Sequence, residues 1–256
     1  MNVFFEEEHA GWKSQLLGLP VETKDSASVS EARFRTGIEG LQALAAALDK
    51  QLRYRESEDI YSQLLELLPE DRTALRLRAG RRLSTLQLDL AEMDLLSCLN
   101  EGGDPMELHY RLGLCDGFRG NYKRAMLRME DSFPLCGEEM EIAVIYWHTI
   151  YAWKLGKRAI LLPFYRKGMD VGHHASYEAA VAVMAGEASG QELEQKAKEA
   201  DDLDFSMLQY GLSAVWEQQG ELEKAQKGIS EIVRRDGFWI SYAWLSAWSD
   251  KRRGSA

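Results

Sequence analysis

Apolar residues along most of this 256-residue chain recur at intervals of three and four rather than in alternation, the pattern of helices that each bury one face. Runs of Val, Ile and Thr that would mark strands are scarce, and only five prolines interrupt the pattern. The expectation is a predominantly helical protein with no sheet. Ser28 and Glu31 have the spacing of a capping box that opens a long helix toward Lys50. Asp104-Pro105 reads as an N-cap followed by a proline in the first turn. An N-terminal helix over about residues 4–17 precedes a linker at 18–30, and Gly102-Gly103, Gly137, Gly172 and Gly237 mark turns. In the closing segment, residues 238–250, Ile240, Trp244 and Trp248 form one helical stripe widened by Ala243 and Ala247. This stripe is expected to dock near Trp216. Trp239, Tyr242 and Leu245 lie off it, either as an apolar surface for a second copy or partner, or buried in the chain's own core by a slight rotation.

A longer period underlies the helical one. In the segment LGLCDGFRGNYKRAM, Leu112-Gly113 is followed by Gly120, Tyr122 and Ala125. Steps of 34 residues back from Ala125 reach Ala91 and then Ser57, and each has a large apolar residue four places on: Met129, Leu95 and Tyr61. Gly220, Leu222 and Ala225 repeat the spacing near the C-terminus, with Leu193 between. Small residues in such a column let helices approach closely, and a two-helix unit buries its shared face only by stacking on neighbours.

The Leu-Gly … Gly-x-Tyr-x-x-Ala spacing resembles the tetratricopeptide-repeat family. The resemblance implies an all-α superhelix, a right-handed solenoid of about six helical hairpins (38–71, 72–105, 106–139, 140–173, 174–205 and 206–238) plus a capping helix. The corresponding domains are an N-terminal helix and linker at 1–33, a repeat domain at 34–238 and a C-terminal cap and tail at 239–256. One unit is irregular. Its column residue, Ala159 or Leu161, leaves Pro163 inside or at the start of the second helix, which is then late-starting or kinked.

Charge and cysteines narrow the setting. The chain carries 31 Lys+Arg against 41 Asp+Glu, net −10, which disfavours non-specific binding to nucleic acid. Three cysteines (Cys98, Cys115 and Cys136) form no CxxC pair and read as buried hydrophobes in a reducing compartment. Neither a signal peptide nor a membrane span is visible, so the expected location is cytoplasmic.

Catalytic motifs are missing: no GxGxxG, GxxxxGK[ST], HExxH or GxSxG occurs. His173 and His174 are adjacent, so on a helix their rings would point about 100° apart, and the pair reads as a polar turn. No catalytic residue, cofactor or metal site is assigned, and the protein is expected not to be an enzyme. The resemblance implies a concave groove lined from the first helix of each hairpin, which points to Tyr110, Leu114, His148, Tyr151, Tyr210 and Glu217, with Glu39, Gln42 and Asp49 in the first unit. The carboxylate clamp known in this family has no counterpart, since Gln42 and Ala46 occupy its positions. Arg72, Arg76, Arg78, Arg81 and Arg82 form a block without an acidic residue. It reads either as an acidic-peptide or phosphate site through Arg76 or, preferentially, as internal ion pairs.

The function expected from these observations is a non-catalytic interaction module holding a partner protein's peptide or helix, an acidic one included. A homodimer through the C-terminal helix is the further expectation. A peptide-sensing regulator and a structural homo-oligomer are the alternatives.

Overall fold

A computed structural model describes residues 8–254 of the chain. Among them there is no strand, and helix makes up 72%. The fold is all-α, with helices packed in consecutive neighbouring pairs as in a helical-hairpin solenoid. The chain forms two compact units, Met1–Asp104 and Pro105–Ala256. The division therefore falls at the Asp104-Pro105 punctuation, inside the segment 34–238 expected as one repeat domain.

The first unit holds α1 (Trp12–Leu17), α2 (Ala27–Ala32) and two hairpins, α3 (Gly37–Lys50) with α4 (Tyr54–Leu67) and α5 (Arg72–Ser84) with α6 (Leu88–Asn100). Val29 and Ala32 of α2 join Leu44, Ala47 and Leu48 of α3 in one apolar cluster. The N-terminal segment is tied on by buried Gln51, whose side chain donates to the Glu8 and Lys24 carbonyls at 3.0 Å each. Two expectations change here. Ser26 rather than Ser28 caps, accepting from the Val29 amide at 3.3 Å. The helix it opens ends at Ala32 instead of running to Lys50, and Gly37 with φ +73° starts a separate one. The helix expected over 4–17 is described from Trp12, and residues 4–7 of that expectation lie outside the described residues.

The second unit holds α7 (Pro105–Arg119) with α8 (Tyr122–Ser132), then α9 (Glu138–Lys154), α10 (Ala175–Met184) with α11 (Gly190–Glu199), α12 (Asp202–Gln218) with α13 (Leu222–Arg234), and α14 (Tyr242–Gly254).

One turn recurs through both units. A left-handed residue follows the first helix of each repeat: Leu52, Leu86, Gly120, Gly156, Gly186 and Gly220. In all six its amide donates to the carbonyl three residues back, and the next amide to the carbonyl five back, as in Gly120 to Gly117 and Asn121 to Asp116, both 2.9 Å. These bonds satisfy carbonyls that a helix end leaves bare. Glycine suits this backbone, and Leu52 and Leu86 hold it against a steric penalty. The small column is buried as expected: Ser57, Ala91, Ala125, Leu193 and Ala225 are all out of solvent. A Cβ on Gly113 would lie 2.5 Å from the Met129 Cε and 3.3 Å from the Ala125 carbonyl, so the α7–α8 approach depends on that missing atom.

The fourth repeat departs from the others. After α9 neither a late nor a kinked second helix forms: residues 155–174 contain only a 3-10 turn at Leu162–Phe164 around Pro163. Proline lacks the amide a helix would need there. Ala159, Leu161 and Tyr165 are nonetheless buried, so this irregular segment takes the place of a helix.

The closing helix α14 is not a cap with an apolar outer side. It packs on α7, α12 and α13. Trp239 and Leu245, expected as a free surface, are 1% and 0% exposed, and Trp244 and Ala247 on the other stripe are buried too. Tyr242 packs edge-on to Tyr110 and against Phe118, ring centroids 6.5 and 6.3 Å away. The own-core alternative holds without a rotation, since residues of both stripes are buried, and the apolar surface assigned to a second copy lies inside the chain's own core. At about 25 cal/mol per Å² and 150–250 Å² per large aromatic side chain, the two fully buried tryptophans alone contribute on the order of 10 kcal/mol before entropy. The helix is a fixed part of the unit.

Candidate functional site

Beside the end of α14 the second unit keeps an open cleft of about 570 Å³. One wall is α13, presenting Leu222, Ala225 and Ile229 at helical spacing, with Leu222 exposed. The other wall gathers residues far apart in sequence: Tyr122 at the start of α8, Lys154 at the end of α9, Tyr210 and Glu217 from α12, and Asp250, Lys251 and Arg253 from α14.

Asp250 is the hub of this wall. It accepts from the Tyr122 and Tyr210 hydroxyls at 3.0 and 2.8 Å and from the Lys154 ammonium at 3.1 Å. Arg253 also pairs with Asp250, donates to the Phe118 carbonyl, and reaches the Tyr122 hydroxyl at 3.0 Å. Lys154 further lies 3.4 Å from Glu217 and over the Tyr122 ring at 5.4 Å. Burial disfavours the Lys154 ammonium, but Asp250, Tyr122 and Glu217 outweigh it and its pKa is raised. Burial first and the Asp250 charge second raise both phenols. Lysine thus stays an ammonium and the tyrosines stay protonated. None of these three groups is poised as a base or nucleophile near neutral pH, so the cluster acts as a charge clamp that anchors α14.

The groove residues named from the sequence are distributed differently. Tyr210 and Glu217 do line the cleft. Tyr110, Leu114, His148 and Tyr151 are buried and are not part of an open surface. Tyr110 accepts from the Trp147 indole at 3.1 Å beneath Tyr242. His148 and Tyr151 belong to a stretch of α9, Ile142 to Ala152, in which every residue is buried. Its neighbours α8, α10 and α12 cover α9 on several sides. His148 faces Glu130 at 3.3 Å, and burial, opposed by that carboxylate, lowers its pKa. In the first unit Glu39 and Gln42 are exposed, whereas Asp49 pairs with Arg81 at 2.9 Å and accepts from Tyr61 at 2.8 Å.

The arginine block is turned inward, as preferred from the sequence. Arg78 grips Asp94 bidentately at 2.8 Å, and Arg82 bridges Glu58 at 2.7 Å and Asp94 at 2.9 Å. Arg81 also lies over the Tyr54 ring at 4.4 Å, and Arg72 donates to the Gly102 carbonyl. Arg76 sits half-buried on the same helix. With its neighbours paired, the block no longer supports an acidic-ligand site.

Sequence reasoning missed Tyr122, Lys154, Asp250 and Arg253 as a group. Tyr122 was visible only as a repeat-signature residue, and nothing local links it to Asp250, 128 positions away. No protein-family model matches the chain, and no curated protein matches it significantly. Among the described residues no helix is long and apolar enough to cross a membrane.

Proposed function

We propose that the protein is a non-catalytic interaction module that holds a segment of a partner protein in the cleft beside α14. The observation that carries this reading is the cleft's mixed lining: Leu222, Ala225 and Ile229 of α13, beside Gln226 and Ser230, share it with three cations and two carboxylates. A segment with an apolar side chain for Leu222 and Ile229 and an acidic group toward Lys251 suits it. The resemblance to tetratricopeptide repeats adds support, since helical-hairpin arrays present such surfaces. The same reading puts the protein in the cytoplasm, where its three cysteines, two of them buried, meet a reducing environment.

The test is capture of partners from the source cell's lysate by wild type, Leu222→Glu, Lys251→Glu, and Leu67→Glu, whose site is an exposed leucine on the first unit. A partner retained by wild type and Leu67→Glu but lost at least about ten-fold from both cleft variants is expected, since a charge in a docking core removes a hot spot. A partner set indifferent to Leu222 and Lys251, with all melting temperatures unchanged, sinks the proposal.

A further inference from the structure

The irregular segment after α9 ends in an arrangement that the sequence concealed. His173 and His174 are not on a helix: they sit in the turn that precedes α10, and their rings lie 4.1 Å apart, centroid to centroid. The divergence expected of adjacent helical side chains therefore does not apply. Glu139, in the first turn of α9, meets them. Its Oε1 is 2.6 Å from the His173 Nδ1, and one ligand atom from each of the three residues lies within 4.8 Å of the others.

Two further features give this cluster a built character. Gly172 holds φ +48°, and a Cβ there would stand 2.4 Å from the Glu139 Oε1, so the backbone presses against the carboxylate only because glycine is present. The His174 Nδ1 is shut off from solvent and makes no hydrogen bond, an unused donor atom beside a carboxylate. The surroundings favour a cation. Glu138, Glu139, Glu141 and Asp170 gather around the turn, against Arg166, which bridges Glu138 at 3.1 Å and Glu141 at 3.5 Å. Those carboxylates oppose the positive end of α9.

We infer that Glu139, His173 and His174 form a divalent transition-metal site that staples the end of the irregular segment to α9. Two imidazoles and one carboxylate are the donor set of zinc and of its neighbours nickel, cobalt and copper, and three protein ligands leave a position for water. To admit an ion the 2.6 Å Glu139–His173 contact opens to the spacing of two ligands about 2 Å from a metal, a rotamer adjustment in an exposed residue pair. The role fits the place. The fourth repeat has no second helix, and the segment that replaces it returns to α9 through side chains of Glu138, Glu139 and Glu141.

The experiment is zinc titration by calorimetry on the chelator-treated full chain, with Glu139→Gln, His173→Ala and His174→Ala, and hydrogen exchange over residues 157–173 with and without zinc. Cobalt substitution separates this site from the three cysteines. Expected are one zinc per chain, at least about ten-fold weaker binding in each variant, a cobalt spectrum without thiolate charge transfer, and slower exchange in 157–173 for wild type alone. Wild-type affinity in the histidine variants, thiolate bands with cobalt, or unchanged exchange on zinc binding each overturns it. None of these outcomes bears on the cleft, whose residues the variants leave intact.

Discussion

The two units each concentrate charge, and they do it to opposite ends. In the first, Arg78, Arg81 and Arg82 turn toward Asp94, Glu58 and Asp49, and the pairs are largely removed from water. In the second, Lys154 and Arg253 converge on Asp250, but at the wall of a cleft that solvent enters. The first cluster looked like a binding site in the sequence and is a structural tie. The second was invisible in the sequence and borders the open surface. A dense run of like charge reports that counter-charges must exist somewhere in the fold. It does not report a ligand.

Four expected outcomes test that contrast. The largest concerns Asp94→Ala, which leaves the half-buried Arg78 guanidinium without its carboxylate partner and Arg82 with Glu58 alone. Removing one partner of a buried pair costs about 3–5 kcal/mol, and urea unfolding should show a loss in that range. A loss below about 1 kcal/mol would mean that the network is as dispensable as a surface pair.

Asp250→Asn should cost less, about 1–2 kcal/mol, because water from the cleft can replace part of what Lys154 and the two phenols lose. Urea unfolding followed by tryptophan fluorescence, to which Trp244 and Trp248 of α14 contribute among seven tryptophans, measures it. A loss equal to that of Asp94→Ala would erase the distinction between closed and open clusters.

The third is a pH effect. Hydrogen bonds from Arg33 and then Arg53 hold the Asp25 carboxyl down to about 2, overcoming a partial desolvation. Its unfolded value is near 3.9. A depressed carboxyl stabilises fully above the unfolded value and loses that contribution as pH falls from about 4 toward 2. Asp25 is partly exposed, so screening limits the effect to about 1 kcal/mol. Asp25→Asn should lose this amount at neutral pH and show a flatter acid profile between about pH 4 and 2. Parallel profiles for the two proteins would remove Asp25 from the tie.

The smallest contrasts the shared turn. Leu86 occupies in the first unit the left-handed position that Gly120 holds in the second. Relief of about 1–2 kcal/mol of backbone strain, less the glycine entropy term, leaves a net gain of roughly 0.5 kcal/mol for Leu86→Gly. A lower melting temperature would show that the half-buried leucine side chain outweighs its backbone.

The hairpins were legible because their causes are local and repeated. The column from Ser57 through Ala91 to Ala125 and Gly113 opposite Met129 are properties of residues a few turns apart, and each repeat restates them. Pro163 also announced trouble correctly, although the sequence left open what would replace the helix. The grooves were not legible. Tyr110, Leu114, His148 and Tyr151 carry the right chemistry at the right register, but α9 is enclosed by three neighbours and α14 covers Tyr110.

The amino-acid pattern by itself determined that the chain is helical and which small residues sit at the helix crossings. Those depend on hydrogen bonds and contacts within about one repeat. Tertiary structure decided the rest. It placed α14 against α7 and buried Trp239 and Leu245, set Asp250 between Tyr122 and Tyr210, and turned His173 and His174 onto Glu139. The first two join residues whose separation in sequence carries no periodic signal, and the third joins residues one 34-residue period apart that meet through an irregular turn instead of a helix. Burial on every side of a helix follows from how many neighbours pack on it, which one helix's sequence does not specify.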